Sequence, residues 1–347
     1  MKIFKIILYP LVPVYYLIIN IRNSFFDKNI FKTTKVDAKV ISVGNITTGG
    51  SGKTPLVIFL AKLLKTGKKN VGVLSRGYGR KTKGYLLVSD GKNIFSKVDE
   101  CGDEIYHTVL ECVVPAAVSE DRAKGAAKLI EETDVDVLVL DDAYQHRWIN
   151  RDLNLLIFEQ NFLTDSSFYL QKLLPFGSMR ESYESVDRAD AIIINKKFSE
   201  KKEIPAGIQK YFENKKIFYA YYEAINFVDI KRKTEYKLSD FEGQVSLVVS
   251  GIANPYSFIN ILEQNKVDTK NRLIFKDHKN YSHKEVQKIR KEFYATNSHS
   301  VVTTEKDAVK LTEYSKELDD IDIFYLKIEM RFEDAESFGN FVLSKIN

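Results

Sequence analysis

A lysine, a hydroxyl and two adjacent carboxylates carry the chemistry most readily read from this 347-residue chain. The run Gly44-Asn45-Ile46-Thr47-Thr48-Gly49-Gly50-Ser51-Gly52-Lys53-Thr54 has the composition of a phosphate cradle. Glycines let backbone N–H groups approach phosphate oxygens, and a following helix adds positive potential at its N-terminus. In such a loop Gly49, Gly50, Ser51 and Gly52 line the cradle. Lys53 reaches the β- and γ-phosphates of ATP, and the Thr54 hydroxyl ligates Mg²⁺. The strict spacing fails at one place: Thr47 occupies the first glycine position, with Gly49 and Gly50 supplying the freedom. The second signal is Val135-Asp136-Val137-Leu138-Val139-Leu140-Asp141-Asp142, an apolar strand ending in twin acids. One aspartate at such a strand end holds the Mg²⁺ shell in P-loop enzymes, and the other can take a proton from an attacking hydroxyl. Arg76, Tyr78 and Arg80, in Ser75-Arg76-Gly77-Tyr78-Gly79-Arg80, suit an anionic ligand and equally a surface turn. Asp103 and Glu104 add carboxylates, with Asp103 equally readable as a helix cap.

These groups need elements to hold them. Val40–Gly44 reads as a short strand, and Leu56, Phe59, Leu60, Leu63 and Leu64 follow at helical spacing. Pro55 falls in the first helical turn, where its missing N–H costs nothing. Strands are expected at 71–75, 115–118, 135–140, 153–158 and 190–194, with helices at 103–112 and 123–132. Strands alternating with helices imply α/β architecture: a mostly parallel P-loop sheet flanked by helices. Residues 217–238 alternate polar with apolar and read as extended strands. After Gly243 the pattern restarts, with strands at 245–250, 272–275, 300–303 and 323–330 and helices at 255–264 and 283–295. The expected organisation is an N-terminal membrane-associated helical segment at 1–35, a P-loop domain at 36–215, linker strands at 216–242, and a smaller α/β domain at 243–347. The last helix of that domain could pack back on the P-loop domain.

Residues 3–21 are mostly apolar but carry Lys5 and are broken by Pro10 and Pro13. A spanning helix needs about 20 apolar residues, and no small-residue cleavage site follows. A monotopic helix lying in the interface is the first reading, an uncleaved anchor the second and a buried core helix the third. Lysines crowd the first forty residues, which fits an anionic cytoplasmic membrane surface. The net charge of +5 is mild, and no nucleic-acid motif accompanies it. Cys101 and Cys112 make no disulfide framework and no metal cluster.

Taken in order, Ser42–Pro55, Ser75–Arg80, Gly102-Asp103-Glu104, Leu140–Arg147, Leu173–Glu181, Phe275–Tyr281 and Thr303–Lys310 resemble the motifs of the tetraacyldisaccharide 4′-kinases of lipid A biosynthesis. The likeness spans nearly the whole chain. It implies ATP- and Mg²⁺-dependent phosphorylation of the 4′-hydroxyl of an acylated disaccharide 1-phosphate lipid at the cytoplasmic face of the inner membrane. It also implies a cleft between two domains. By resemblance, Lys53 and Thr54 fall on the nucleotide loop, and Asp142 with His278 on a catalytic acid–base pair. Asp141, Asp103 and Glu104 fall on metal-linked positions, with Gln145 and His146 beside them. Arg76, Tyr78, Arg180 and Glu181 match further motifs. A membrane-associated ATPase or GTPase switch of the partitioning type is the alternative. Asn195-Lys196-Lys197-Phe198 looks like a guanine-reading motif, but Phe198 stands where an aspartate is required. A nucleotide-binding adaptor without catalysis is disfavoured by the paired acids.

Overall fold

The computed structural model describes residues 8–167, 169–252, 254–276 and 279–347. It contains two compact units, Met1–Tyr221 with Met330–Asn347, and Tyr222–Glu329. The chain leaves the first unit along β8 (Lys216–Asp229) and returns to it along β13 (Ile323–Phe332).

The first unit opens with α1 (Val12–Asp27), followed by β1 (Lys39–Gly44), α2 (Lys53–Thr66), β2 (Val71–Ser75), β3 (Leu86–Asp90) and α3 (Asp103–Cys112). Next come β4 (Pro115–Val118), α4 (Arg122–Thr133), β5 (Val137–Leu140), β6 (Leu153–Glu159) and β7 (Ala191–Asn195). Its strands lie in the order β8-β7-β6-β1-β5-β2-β4-β3. All neighbours are parallel except β3, which runs against β4. The strands are apolar because they are covered: every residue of β2, β5 and β7 is buried, as parallel sheets require. β1 is central, with β5 and β2 on one side and β6 and β7 on the other. The chain therefore changes direction at β1, and the ends of β1 and β5 form the crevice where such sheets take ligands.

The stretch read as linker strands also extends the sheet. Lys216–Ala220 pairs in parallel with Ala191–Asn195 and extends the first unit's sheet. Its aromatic residues explain why: Phe218 packs on Phe338 and Phe341 of α8 (Ala335–Ile346), an edge that the sequence alternation alone does not distinguish from a linker. Phe338 also stacks on Phe332 at 4.0 Å. Residues from Met330 onward thus count with the first unit.

The second unit holds β9 (Glu235–Tyr236), β10 (Val245–Ser250), α5 (Pro255–Gln264), β11 (Asp268–Ile274), α6 (His283–Ala295), β12 (Ser300–Thr304) and α7 (Glu305–Leu311). Its parallel strands run β11-β10-β12-β13. Leu247, Val249, Val286, Ile289, Val301, Leu311 and Ile323 form its core.

Among the described residues no helix is long and apolar enough to cross a membrane. α1 has sixteen residues, about 24 Å at 1.5 Å per residue. Val14, Leu17, Ile18, Ile21 and Phe25 share one exposed face, while Tyr15, Arg22, Asn23 and Phe26 turn inward. The usual amphipathic arrangement is therefore inverted, with apolar side chains facing out.

Candidate active site

The phosphate loop grows out of β1 and ends in the first turn of α2. Gly44 closes the strand against the turn after β5. A Cβ there would sit 2.6 Å from Tyr144 Cβ and 2.7 Å from Tyr144 N, so only glycine lets the two segments meet. Gly49 and Gly52 adopt φ of 111° and 103°, a region L side chains rarely enter. A Cβ at Gly49 or Gly50 would meet nothing within 4 Å, so the backbone borders open space there. Among the described residues no side chain caps the first turn of α2, which leaves its N–H groups for an anion. The loop is propped from behind. Asn45 Nδ2 donates to Ser51 Oγ at 2.9 Å, Asn195 Nδ2 donates to the Ser51 carbonyl at 3.0 Å, and Gln145 Nε2 donates to the Asn45 carbonyl at 2.9 Å. Asn195 thus supports the loop and does not read a base.

The acids at the end of β5 meet this loop. Asp141 is buried, with its N–H bonded to the Leu74 carbonyl at 2.9 Å. Asp142 then turns into the left-handed region at φ 47°. Its carboxylate lies 3.5 Å from Lys53 Nζ and accepts from Arg180 Nη1 at 3.0 and 3.1 Å. Burial opposes its charge, but Lys53, Arg180 and Arg122 outweigh that and hold the carboxyl below the ordinary aspartate range. A carboxylate held in this way is a weak base. The other half of its expected acid–base pair, His278, lies outside the described residues.

Asp103 and Glu104 open α3, after Gly102 at φ 96°. Lys62 Nζ pairs with Glu111 at 3.0 Å, and Lys65 Nζ donates to the Cys112 carbonyl at 3.1 Å. α2 and α3 therefore run in the same direction, and counting back by equal steps brings Lys53 level with Gly102 from the first pair and with Glu100 from the second. The two acids thus start their helix at the end of the fold where α2 starts. The Arg76–Arg80 loop packs on the same turn: a Cβ at Gly102 would meet the Tyr78 carbonyl at 2.9 Å. Arg76 and Tyr78 are exposed there.

Glu181 is buried and accepts from Arg188 at 2.6 Å and Asn23 at 3.0 Å. Through Asn23 it anchors α1. Tyr15 of α1 donates to the Arg180 carbonyl at 2.8 Å, and Arg22 donates to the Gln145 carbonyl at 2.7 Å. Burial first, then Arg122 and Arg151, push the His146 imidazole down to about 4, so it is neutral at pH 7.

Sequence reasoning missed Arg122. It is 4% exposed at the start of α4, and it feels Arg76, Asp142 and Asp141 electrostatically. Its Nε has no hydrogen-bond partner among the described residues. The signal was present as an arginine opening a helix directly after the buried strand β4. Lys53, Arg76, Arg122 and Arg180 together carry more positive charge than Asp142 alone offsets, which suits a polyphosphate. The buried Thr54 hydroxyl and the Asp141 carboxylate are oxygen donors, the set a hard cation such as Mg²⁺ prefers.

A family model described as tetraacyldisaccharide-1-P 4′-kinase matches residues 4–347. The tetraacyldisaccharide 4′-kinase of Aquifex aeolicus is 34% identical over 333 residues, covering 95% of each chain. That of Desulfatibacillum aliphaticivorans is 33% identical over 345 residues, covering 96% of this chain and 90% of its own. A solved structure of LpxK from Aquifex aeolicus, in complex with ATP, superimposes with a TM-score of 0.81 at 32% identity, over 99% of this chain and 100% of that one. By this agreement of sequence, fold and motif, the chain belongs to the tetraacyldisaccharide 4′-kinase family.

Proposed function

We propose that the chain transfers the γ-phosphate of ATP to the 4′-hydroxyl of a tetraacyldisaccharide 1-phosphate, giving the bisphosphorylated lipid A precursor. The observation that carries this reading is the meeting of Lys53 and Asp142 at 3.5 Å, at the mouth of an uncapped helix.

In this reading the amides of Gly49–Thr54 and Lys53 hold the β- and γ-phosphates. Thr54, Asp141 and Glu104 would hold Mg²⁺, which when bound neutralises charge on the phosphates. Arg180 and Arg122 supply further positive charge around the transferring group. The acceptor oxygen forms a bond to the γ-phosphorus as the bond to the β,γ-bridging oxygen breaks, releasing ADP. The hydroxyl proton passes to a carboxylate. Asp142 is engaged by Lys53 and Arg180, so we assign proton acceptance to Asp103 and charge-holding to Asp142. The role of His278 rests on the family resemblance alone. Gln145 and Asn195 act from behind, as props of the loop.

The outward face of α1 supports binding to the cytoplasmic membrane surface, where the acylated substrate resides. Val14, Leu17, Ile18 and Ile21 would enter the headgroup region, with Lys28, Lys32 and Lys35 near anionic headgroups. In this reading α1 lies on the bilayer as a peripheral element.

The test is direct transfer of labelled phosphate from ATP to the disaccharide lipid in detergent with Mg²⁺. A bisphosphorylated product is expected. Asp103→Asn should lose at least about 100-fold in kcat with little change in ATP affinity. ATP hydrolysis that ignores the lipid would overturn the kinase reading. Near-normal turnover by Asp103→Asn would return the proton to Asp142.

A further inference from the structure

Arg151 lies nine positions after Asp142 and belongs to none of the sequence motifs that carry the family likeness. Its guanidinium nevertheless gathers that turn. Nη2 donates to the Ala143 carbonyl at 2.6 Å and to the His146 carbonyl at 2.7 Å. Nη1 donates to the Tyr144 carbonyl at 3.2 Å and to Asn154 Oδ1 at 2.9 Å. None of these four partners is a carboxylate. Arg151 is half-buried, and carbonyls rather than a carboxylate meet its charge, so the arrangement calls for a reason.

The turn supplies one. Asp142 sits at φ 47°, a conformation an L residue holds only when its surroundings fix it. Three carbonyls of the next four residues converge, and no side chain other than arginine offers a planar fork able to bind them together. On its other side the turn is tied to β1 by the Ala143 N–H, which donates to the Val43 carbonyl at 3.1 Å. It is tied to the phosphate loop by Gln145. The Arg151 fork thus fixes the backbone from which Asp142 reaches Lys53 and Arg180.

We propose that Arg151 is a positioning residue for phosphoryl transfer: its fork of carbonyl contacts sets the 142–146 turn and thereby the placement of Asp141 and Asp142. The proposal rests on the kinase reading above and goes beyond it. A shift of about 1 Å in such a placement costs on the order of 100-fold in rate. Lysine keeps the charge but loses the fork, so it should not substitute.

The full-length chain would be compared with Arg151→Ala and Arg151→Lys. Both should bind a fluorescent ATP analogue without Mg²⁺ nearly as the parent does, while kcat per binding-competent molecule falls roughly 10- to 100-fold. Their Mg²⁺ activation curves should move to higher concentration. Methylguanidinium at low millimolar concentration should restore part of the Arg151→Ala rate and none of the Arg151→Lys rate. A purely structural arginine would lower the melting temperature but leave kcat per competent molecule and the Mg²⁺ curve unchanged, and that result would overturn the proposal. Should Arg151→Ala fail to fold, Asn154→Ala removes the one side chain that seats the fork among the described residues. It must then show the same Mg²⁺ shift at smaller size, and a parental curve for that variant would overturn the proposal equally. A parent chain with no kinase activity would instead fault the kinase reading.

Discussion

Arg22 on the N-terminal helix donates to the carbonyl of Gln145, 2.7 Å away, in the turn that follows the paired acids. The Gln145 side chain in turn donates to Asn45 at the root of the phosphate loop. An element whose outer face is apolar is thereby wired, through its inner polar face, to the nucleotide site. Arg22 also lies over the Phe26 ring, as does Arg147. Arg22→Ala removes one charge-assisted hydrogen bond and should cost about 1.5–3 kcal/mol of stability. Because Gln145 then loses a constraint, KM for ATP should rise while kcat changes less. Urea denaturation together with initial-rate kinetics checks both. An unaltered KM would mean that α1 and the loop are mechanically independent.

The outward face of α1 predicts a separable defect. Leu17 and Ile18 are 59% and 58% exposed, so Leu17→Glu with Ile18→Glu should leave folding almost untouched. The acids would face the headgroups and should abolish co-sedimentation with anionic phosphatidylglycerol vesicles. Activity on short-chain substrate in detergent should persist. Equal sedimentation of variant and parent would remove α1 from the membrane contact.

His146 gives a pH signature. Its imidazole is pushed down to about 4 in the folded chain, against an ordinary value near 6.5. Between those values the unfolded chain binds a proton that the folded chain refuses. The stability is therefore fully present above about pH 6.5, falls as pH drops towards 4, and levels below it. The loss is of the order of 3 kcal/mol at most. His146→Gln should flatten this part of the curve. Urea midpoints measured from pH 4 to 7 decide it, and parallel curves for the two proteins would contradict the assignment.

What was legible in the sequence was local. The loop between β1 and α2 announces itself by composition, and β5 by an apolar run that stops at two acids. The P-loop α/β fold followed from those elements and their alternation. The partners of Asp142 were not legible in the same way, because Arg180 arrives from a loop 38 positions away. Arg122 and Arg151 are ordinary surface letters until the sheet order brings them behind the acids. β8 could be read only as an extended segment, because alternating aromatics look alike whether they line a sheet or join two units. The inward face of α1 was hidden for the opposite reason: its apolar residues dominate the pattern, yet its polar ones make the contacts.

Gly44 offers the sharpest test of the geometry that joins the loop to the acids. A methyl group there would press on both the backbone and the Cβ of Tyr144, at 2.7 and 2.6 Å. Backbone cannot step aside as a flexible side chain can, so β1 and the 142–146 turn would have to separate. Gly44→Ala should therefore cost about 3 kcal/mol, at the upper end of overpacking effects. It should also lower kcat, since Lys53 and Asp142 ride on the two segments forced apart. Gly50→Ala is the natural contrast, because its Cβ would meet nothing within 4 Å. That variant should melt like the parent, yet raise KM for ATP if the open space beside Gly50 is where phosphates approach the backbone. Thermal melts and ATP titrations on the two variants separate the effects. A Gly44→Ala protein as stable and active as the parent would mean that the loop and the acidic turn do not meet as described.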